Sequence, residues 1–135
     1  MNNPRYPFRL NVGFLIPQSI GYSHQFPFEF DQIQIADDLN LVDFEGVVTI
    51  SRTPQGLLAQ GVFQGELNMA CGRCLKPYVH LLRWDMTEMY AFNNRAATKD
   101  DLLLPHDGNI DLTTFVYEDA QIEIPINPIC KPDCQ

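Results

Sequence analysis

Positive charge is scarce in this sequence. Its 9 lysine and arginine residues stand against 17 aspartate and glutamate residues, which gives a formal net charge of −8 and an isoelectric point near 4.6. An acidic surface repels phosphate, so the composition argues against broad electrostatic binding of nucleic acid. Contact with RNA would require a local basic patch or a protein intermediary.

Long apolar runs are also missing. No stretch reaches the roughly 18 consecutive apolar residues of a membrane span, and the N-terminus lacks the basic and then apolar pattern of a secretory signal. We therefore expect no membrane contact and a cytoplasmic location. At 135 residues, with 45% apolar and 11% aromatic residues, the sequence predicts one domain over residues 1–135 with a hydrophobic core.

Motifs for catalysis are not found. The sequence contains no glycine-rich phosphate loop and no Gly-x-Ser-x-Gly elbow, and its histidines lie far apart, at His24, His80 and His106. A lone histidine on an apolar strand is more often a core residue than a catalyst. The sequence therefore predicts a protein that is not an enzyme, and a pocket with a histidine beside a carboxylate would argue against that prediction.

The cysteines form two tight clusters. Cys71 and Cys74 make the first, Cys130 and Cys134 make the second, and the chain has no other cysteine. Two short-spaced pairs that meet in space present the four thiolates of a tetrahedral zinc site. A reducing cytoplasm keeps thiols available for metal instead of linking them as disulfides. The pattern predicts a structural zinc ion held by these four cysteines.

Two other interpretations of the cysteines stay open. Ordinary buried thiols and a disulfide would account for the same count, because free cysteine often behaves as a small core hydrophobe. A cytosolic dithiol redox or metal-binding protein would use Cys71 and Cys74, although Pro77 disfavours the helix whose N-terminus would activate a thiolate there. Stoichiometric zinc without titratable thiols would distinguish the structural site from the redox pair.

Three of the nine basic residues lie within or beside the cysteine clusters, at Arg73, Lys76 and Lys131. Four thiolates around one zinc ion carry a formal charge of about −2, which these side chains would offset. Exposed charge pairs are worth little, so at least one of the three fits a solvated turn residue equally well. Together they form the small basic patch predicted to contact RNA or a partner protein.

Alternating apolar and polar residues predict a mainly β protein. The predicted strands are 8–12, 25–35, 39–53, 57–70 and 81–92. Alternation indicates the first, second and fifth, β-branched residues indicate the third, and the fourth is the strand that returns after a turn. Pro27 indicates that the second of them is an edge or irregular strand. The turn residues of 53–56, Thr-Pro-Gln-Gly, predict a hairpin between the third and the fourth.

One short helix is predicted near the C-terminal end. Asp111 is its expected N-cap, Pro125 its expected end, and the apolar positions with helical spacing are Leu112, Phe115, Val116 and Ile122. The preceding segment, 93–109, is polar and contains glycine and proline, which predicts a flexible loop. The order of elements predicts an antiparallel, barrel-like or sandwich sheet with one packed helix and the cysteine-cluster metal site.

Several stretches of the C-terminal half occur together in a known family. They are Cys71-Gly72-Arg73-Cys74-Leu75-Lys76-Pro77, a strand that ends near Glu88-Met89-Tyr90, and Ile110-Asp111-Leu112 before a helix that leads into the second cysteine cluster. The elements C-x-R-C-L and P-x-x-P-x-C-x-x-x-C are the distinctive marks, and both are present. In these features the chain resembles the YceD family, well over residues 65–135 and loosely before them.

Members of this family are described as large ribosomal RNA accumulation proteins of bacteria and plastids. The resemblance implies a non-enzymatic factor in ribosome assembly, rRNA processing or rRNA stability. It implies ribosomal proteins or large-subunit assembly intermediates as partners, with rRNA contacted only through the small basic patch. Many cysteine-containing relatives continue with a Gly-Leu-Cys-Pro-x-Cys-Gly stretch where this sequence stops at Cys134-Gln135. A further pair could therefore complete the metal site in place of one of these two.

Overall fold

The computed structural model describes residues 7–36, 39–93, 95 and 101–124. Its elements in chain order are β1 (Arg9–Asn11), a 3-10 turn (Gly13–Leu15), β2 (Ser23–Ala36), β3 (Leu39–Arg52), β4 (Gly56–Ala70), β5 (Pro77–Ala91), β6 (Leu102–Leu103), β7 (Asn109–Asp111) and α1 (Thr113–Glu123). The described chain is thus mainly β with one short helix near its C-terminal end, as predicted.

Strands β2 to β6 form one five-stranded sheet in the order β2-β3-β4-β5-β6. Neighbours from β2 to β5 pair antiparallel, whereas β6 pairs in parallel with the end of β5. β1 and β7 form a separate two-stranded antiparallel ribbon. Within the described ranges β2 and β6 do not pair with each other, so the sheet stays open and the predicted barrel-like closure is not observed there.

The hairpin between β3 and β4 forms at the predicted turn. Thr53 N donates to Gly56 O at 2.9 Å, and Thr53 Oγ1 accepts from Gly56 N at 3.0 Å. Glycine is needed at position 56, because a Cβ there would lie 1.9 Å from Tyr90 O on the neighbouring strand. The expectation from Pro27 is also confirmed, because its strand, β2, is an edge of the sheet.

The core lies between one face of the large sheet, the β1–β7 ribbon and α1. Its centre is a group of aromatic rings around Phe63, which is 1% exposed. The centroid of its ring lies 5.6 Å from that of Trp84, 5.9 Å from that of Phe44 and 6.0 Å from that of Phe8. Phe8 directly precedes β1, so this cluster attaches the small ribbon to the large sheet.

Helix α1 packs its buried residues Val116 and Ala120 inward, mainly against β5. The predicted N-cap is close but shifted. Asp111 Oδ1 accepts hydrogen bonds from Thr113 N at 3.0 Å and Thr113 Oγ1 at 2.6 Å, yet the N-cap position falls on Leu112. The placement of Ile122 on the apolar face was wrong. Ile122 is 78% exposed. Val116 and Ala120 are four residues apart and share the inward face, whereas Ile122 is six residues after Val116 and lies on another face of the helix.

The segment predicted as a flexible loop, 93–109, contains β6 and the first residue of β7. Leu104 N donates to Ala91 O at 2.8 Å, which holds β6 against the end of β5. Strands of two and three residues are too short to show a period, so neither was predicted. Residues 94 and 96–100 lie outside the described ranges, and the flexibility of the segment stays a prediction. In the described part of the chain, no helix has the length and apolar character needed to cross a membrane.

Candidate functional site

The first cysteine cluster forms the turn of a long hairpin between β4 and β5. The pairing of these strands runs from Gly56 opposite Ala91 to Ala70 opposite Pro77 without a register shift. The turn of residues 71–76 therefore lies at the far end of the hairpin, at the opposite end of β4 from Gly56. Both strands were expected, but the predicted start of the second, residue 81, lies four residues after its observed start at Pro77.

Two backbone hydrogen bonds close this turn. Cys71 N donates to Lys76 O at 2.9 Å, and Leu75 N donates to Cys71 O at 3.0 Å. Leu75 has a φ of 63°, in the left-handed region that residues other than glycine rarely adopt. The chain thus reverses immediately after Cys74, and both cysteines lie in one compact turn. Cys71 is buried, whereas Cys74 is half-buried.

Four of the seven predicted site residues lie in this turn, namely Cys71, Arg73, Cys74 and Lys76. Both basic residues are exposed. The remaining three, Cys130, Lys131 and Cys134, lie outside the described residues. Among the residues that are described, no three histidine, cysteine or acidic side chains group as metal ligands. Two cysteines supply half of a four-thiolate set, so the zinc site stays a prediction.

Carboxylates crowd together where α1 packs on β5. Burial raises the pKa of Glu88, and the charges of Asp119 and Glu118 raise it further. Burial also raises the pKa of Asp119, with contributions from Glu118 and Asp85. At neutral pH this interface therefore holds negative charges that repel one another. Glu88 is also the residue that interrupts the apolar alternation of β5, so the sequence does show where this cluster lies.

We expect Glu88→Gln to raise the free energy of unfolding at neutral pH, by less than about 1 kcal/mol because the cluster is largely solvated. The folded-state pKa lies above the ordinary value of 4.5, so the charge of Glu88 lowers stability at neutral pH and this cost disappears as pH falls. The advantage of the variant should therefore vanish below about pH 4. Urea unfolding at neutral pH and below about pH 4 measures the difference in stability between the variant and the unchanged protein, with Glu66→Gln on β4 as the control. An equal advantage at both pH values would contradict the electrostatic cause.

A model of one protein family matches the C-terminal part of this chain. The family is described as "Large ribosomal RNA subunit accumulation protein YceD", and the match covers residues 59–135. It begins within β4 and includes the cysteine turn, β5, β6, β7 and α1. The matched region is more than half of the chain.

Curated relatives include uncharacterized proteins of Mycobacterium bovis and of two strains of Mycobacterium tuberculosis. Each is 27% identical to this chain over 89 residues, which is 63% of this chain and 43% of the relative. The alignment thus spans less than half the length of those relatives. No solved structure matches the chain.

Proposed function

The chain belongs to the YceD family of large ribosomal RNA subunit accumulation proteins, and we propose that it is an accessory factor for the accumulation of large-subunit rRNA during ribosome biogenesis. The observation that carries this proposal is the family match, which includes the cysteine turn and every described element from β5 to α1. In this proposal the protein works in the cytoplasm through contacts with ribosomal proteins or assembly intermediates, and it catalyses no reaction.

A structural zinc ion is the second part of the proposal. The turn supports it, because its two hydrogen bonds and the sharp reversal at Leu75 present Cys71 and Cys74 together. Cys130 and Cys134 would supply the other two thiolates. Zinc bound by four thiolates has no open coordination position, so it would stabilise the fold and would not activate a substrate. It would link the C-terminal end of the chain to the β4–β5 hairpin.

A cytosolic dithiol protein unrelated to the ribosome is the alternative use of the same turn. Redox dithiols gain reactivity when a helix N-terminus lowers the pKa of one thiol. Here Cys74 is followed by the turn residue Leu75 and then by β5, which starts at Pro77. The described chain around this cluster is strand and turn, so it lacks the helix N-terminus that is one of the ways to activate a thiol, and we favour the structural site.

We expect depletion of this protein to lower the amount of large-subunit rRNA relative to small-subunit rRNA in cells that normally express it. The reason is the family description, which names the accumulation of the large ribosomal RNA subunit. Quantification of both rRNAs after depletion measures the ratio, and re-expression of the chain should restore it. An unchanged ratio, together with affinity purification that recovers neither rRNA nor large-subunit proteins, would contradict the proposed function.

Recruitment through a protein partner has a separate expected result. The net charge of −8 opposes binding to RNA, and Arg73, Lys76 and Lys131 can neutralise only about three phosphates. We therefore expect the isolated protein to bind large-subunit rRNA fragments weakly at physiological salt, and the triple alanine variant of these residues to lose most of that binding. Tight binding by the unchanged protein that survives added salt would show direct recruitment by RNA.

A further inference from the structure

A groove of about 850 Å³ crosses strands β2 to β5 of the large sheet, and its lining consists mainly of residues that alternate along these strands with residues of the core. Two rows of side chains line it, and each row runs across the strands in register. The first row consists of Glu29, Glu45, Gln64 and Arg83, and the second contains Val47, Val62 and Asp85. Glu123, the last residue of α1, lies at its border. We call this surface the acidic groove.

The charge of the acidic groove is one-sided. Among the described residues, its lining has four carboxylates, from Glu29, Glu45, Asp85 and Glu123, and one guanidinium, from Arg83. Glu29 and Glu45 are direct cross-strand partners on β2 and β3, and like charges in that position destabilise a sheet. Gln64 Nε2 donates to Glu45 Oε2 at 3.2 Å, which orients this carboxylate without neutralising it. A cationic ligand would remove the repulsion between the two glutamates.

The middle of the groove is apolar. Val62 is 63% exposed, and its cross-strand partner Val47 is half-buried. Single exposed valines are common, but here two adjacent ones lie among carboxylates. Strands β2, β3 and β4 together contain one basic residue that could neutralise the groove, which is Arg52. Its guanidinium lies 4.4 Å from the ring centroid of Phe92, away from the groove.

We propose that the acidic groove binds an extended segment of a partner protein that is rich in lysine or arginine. The cationic ends would pair with Glu29, Glu45 and Asp85, while the aliphatic stems of the same side chains would cover Val62 and Val47. Four strands about 4.8 Å apart give the groove a length of about 14 Å, which about four extended residues span. Phosphate would be repelled by the carboxylates, so the charge favours a basic polypeptide over RNA.

The inference rests on the proposed function in one respect, because ribosomal proteins and assembly intermediates are then the source of the basic segment. The binding itself can be tested without that assumption. The probe is a fluorescein-labelled peptide of about twelve residues in which arginine and serine alternate, titrated with the full chain and followed by fluorescence anisotropy.

Two lysine substitutions make a matched pair for this titration. Val62→Lys places a positive charge inside the groove, whereas Val79→Lys places the same charge on β5 at a residue that is 55% exposed and does not line the groove. We expect Val62→Lys to weaken peptide binding by at least about tenfold and Val79→Lys by less than about twofold. Arg83→Gln, which removes the one cation among the described residues of the groove lining, should strengthen binding. Circular dichroism checks that all three variants are folded.

Equal weakening by Val62→Lys and Val79→Lys would overturn the proposal, because it would show attraction to the overall charge of the chain. Absence of peptide binding by the unchanged protein would overturn it as well. A single-stranded RNA that binds the unchanged protein more tightly than the peptide does would assign the groove to RNA instead.

The failure of the groove and the failure of the proposed function give different results in cells. If depletion lowers large-subunit rRNA and Val62→Lys restores it as fully as Val79→Lys does, the function stands and the groove is not its docking surface. If depletion leaves the rRNA ratio unchanged, the proposed function fails whatever the peptide titration shows. Restoration by Val79→Lys but not by Val62→Lys is the result expected from both proposals together.

Discussion

Replacing Phe63 by alanine should lower the free energy of unfolding by about 3–5 kcal/mol, the usual cost of removing a buried aromatic side chain. Phe63 is 1% exposed, and its ring contacts those of Phe8, Phe44 and Trp84. These contacts join the residue before β1 to strands β3, β4 and β5, so the cavity would lie where the ribbon meets the sheet. Urea unfolding followed by tryptophan fluorescence measures the loss, because Trp84 is the only tryptophan.

The neighbouring residue provides the control for this substitution. Val62 is on the same strand but faces the other side of the sheet and is 63% exposed, so Val62→Ala should change stability by less than about 0.5 kcal/mol. Similar losses for both variants would show that the aromatic cluster is not the centre of the core. A larger loss for Phe63→Ala would confirm that the two faces of β4 differ as the structure shows.

The position of Phe63 depends on two glycines that alternation alone does not explain. A Cβ at Gly46 would lie 2.4 Å from the Phe63 ring, and one at Gly61 would lie 2.7 Å from it. Both glycines occupy inward-facing positions of their strands, where the ring fills the space that side chains would otherwise take. The sequence shows the glycines, but their role depends on which residues the pairing of β3 and β4 places side by side.

β5 was predictable because its alternation extends from Leu82 to Phe92, which no helical pattern imitates. β2 shows a shorter alternation of phenylalanines, and β3 was indicated by its β-branched residues. The hairpin at Thr53 was predictable because proline and glycine stand where a turn needs them. By contrast, β7 forms through pairing with β1, near the other end of the chain, and β6 is a two-residue strand that pairs with the end of β5. Local sequence patterns do not reveal such contacts.

The cysteine turn could likewise be predicted from a local pattern, whereas the acidic groove depends on which residues the strand pairing brings together. Spacing alone placed Cys71 and Cys74 in one turn, although a leucine gives no sign of the left-handed backbone at position 75. The groove left one signal in the sequence, which is the apolar Val62 between Gln60 and Gln64 at outward positions of β4. Glu29 and Glu45 lie opposite each other because of the register between β2 and β3. The composition of either strand alone does not reveal this register.

The zinc site carries the second large expected effect. We expect the purified protein to contain about one zinc ion per chain, and Cys71→Ser to lose it together with at least about 3 kcal/mol of stability. The reason is that the unfolded chain has no preformed site, so metal binding contributes directly to the free energy of folding. Elemental analysis and urea unfolding under reducing, metal-replete conditions measure the two quantities.

Cys71 is buried, so its replacement has a packing cost even without a metal, and two comparisons separate the causes. Cys74 is half-buried, so if both cysteines are ligands, Cys74→Ser should lower the free energy of unfolding as much as Cys71→Ser does. If packing is the only cause, the Cys71 variant should lose more stability than the Cys74 variant. Excess chelator should bring the unchanged protein down to the stability of the variants. Cys130→Ser and Cys134→Ser should match them, because loss of any thiolate opens the tetrahedral site. A metal-replete protein without zinc, or a Cys71→Ser deficit that chelator leaves unchanged, would rule out the structural zinc and assign the cost to the buried thiol.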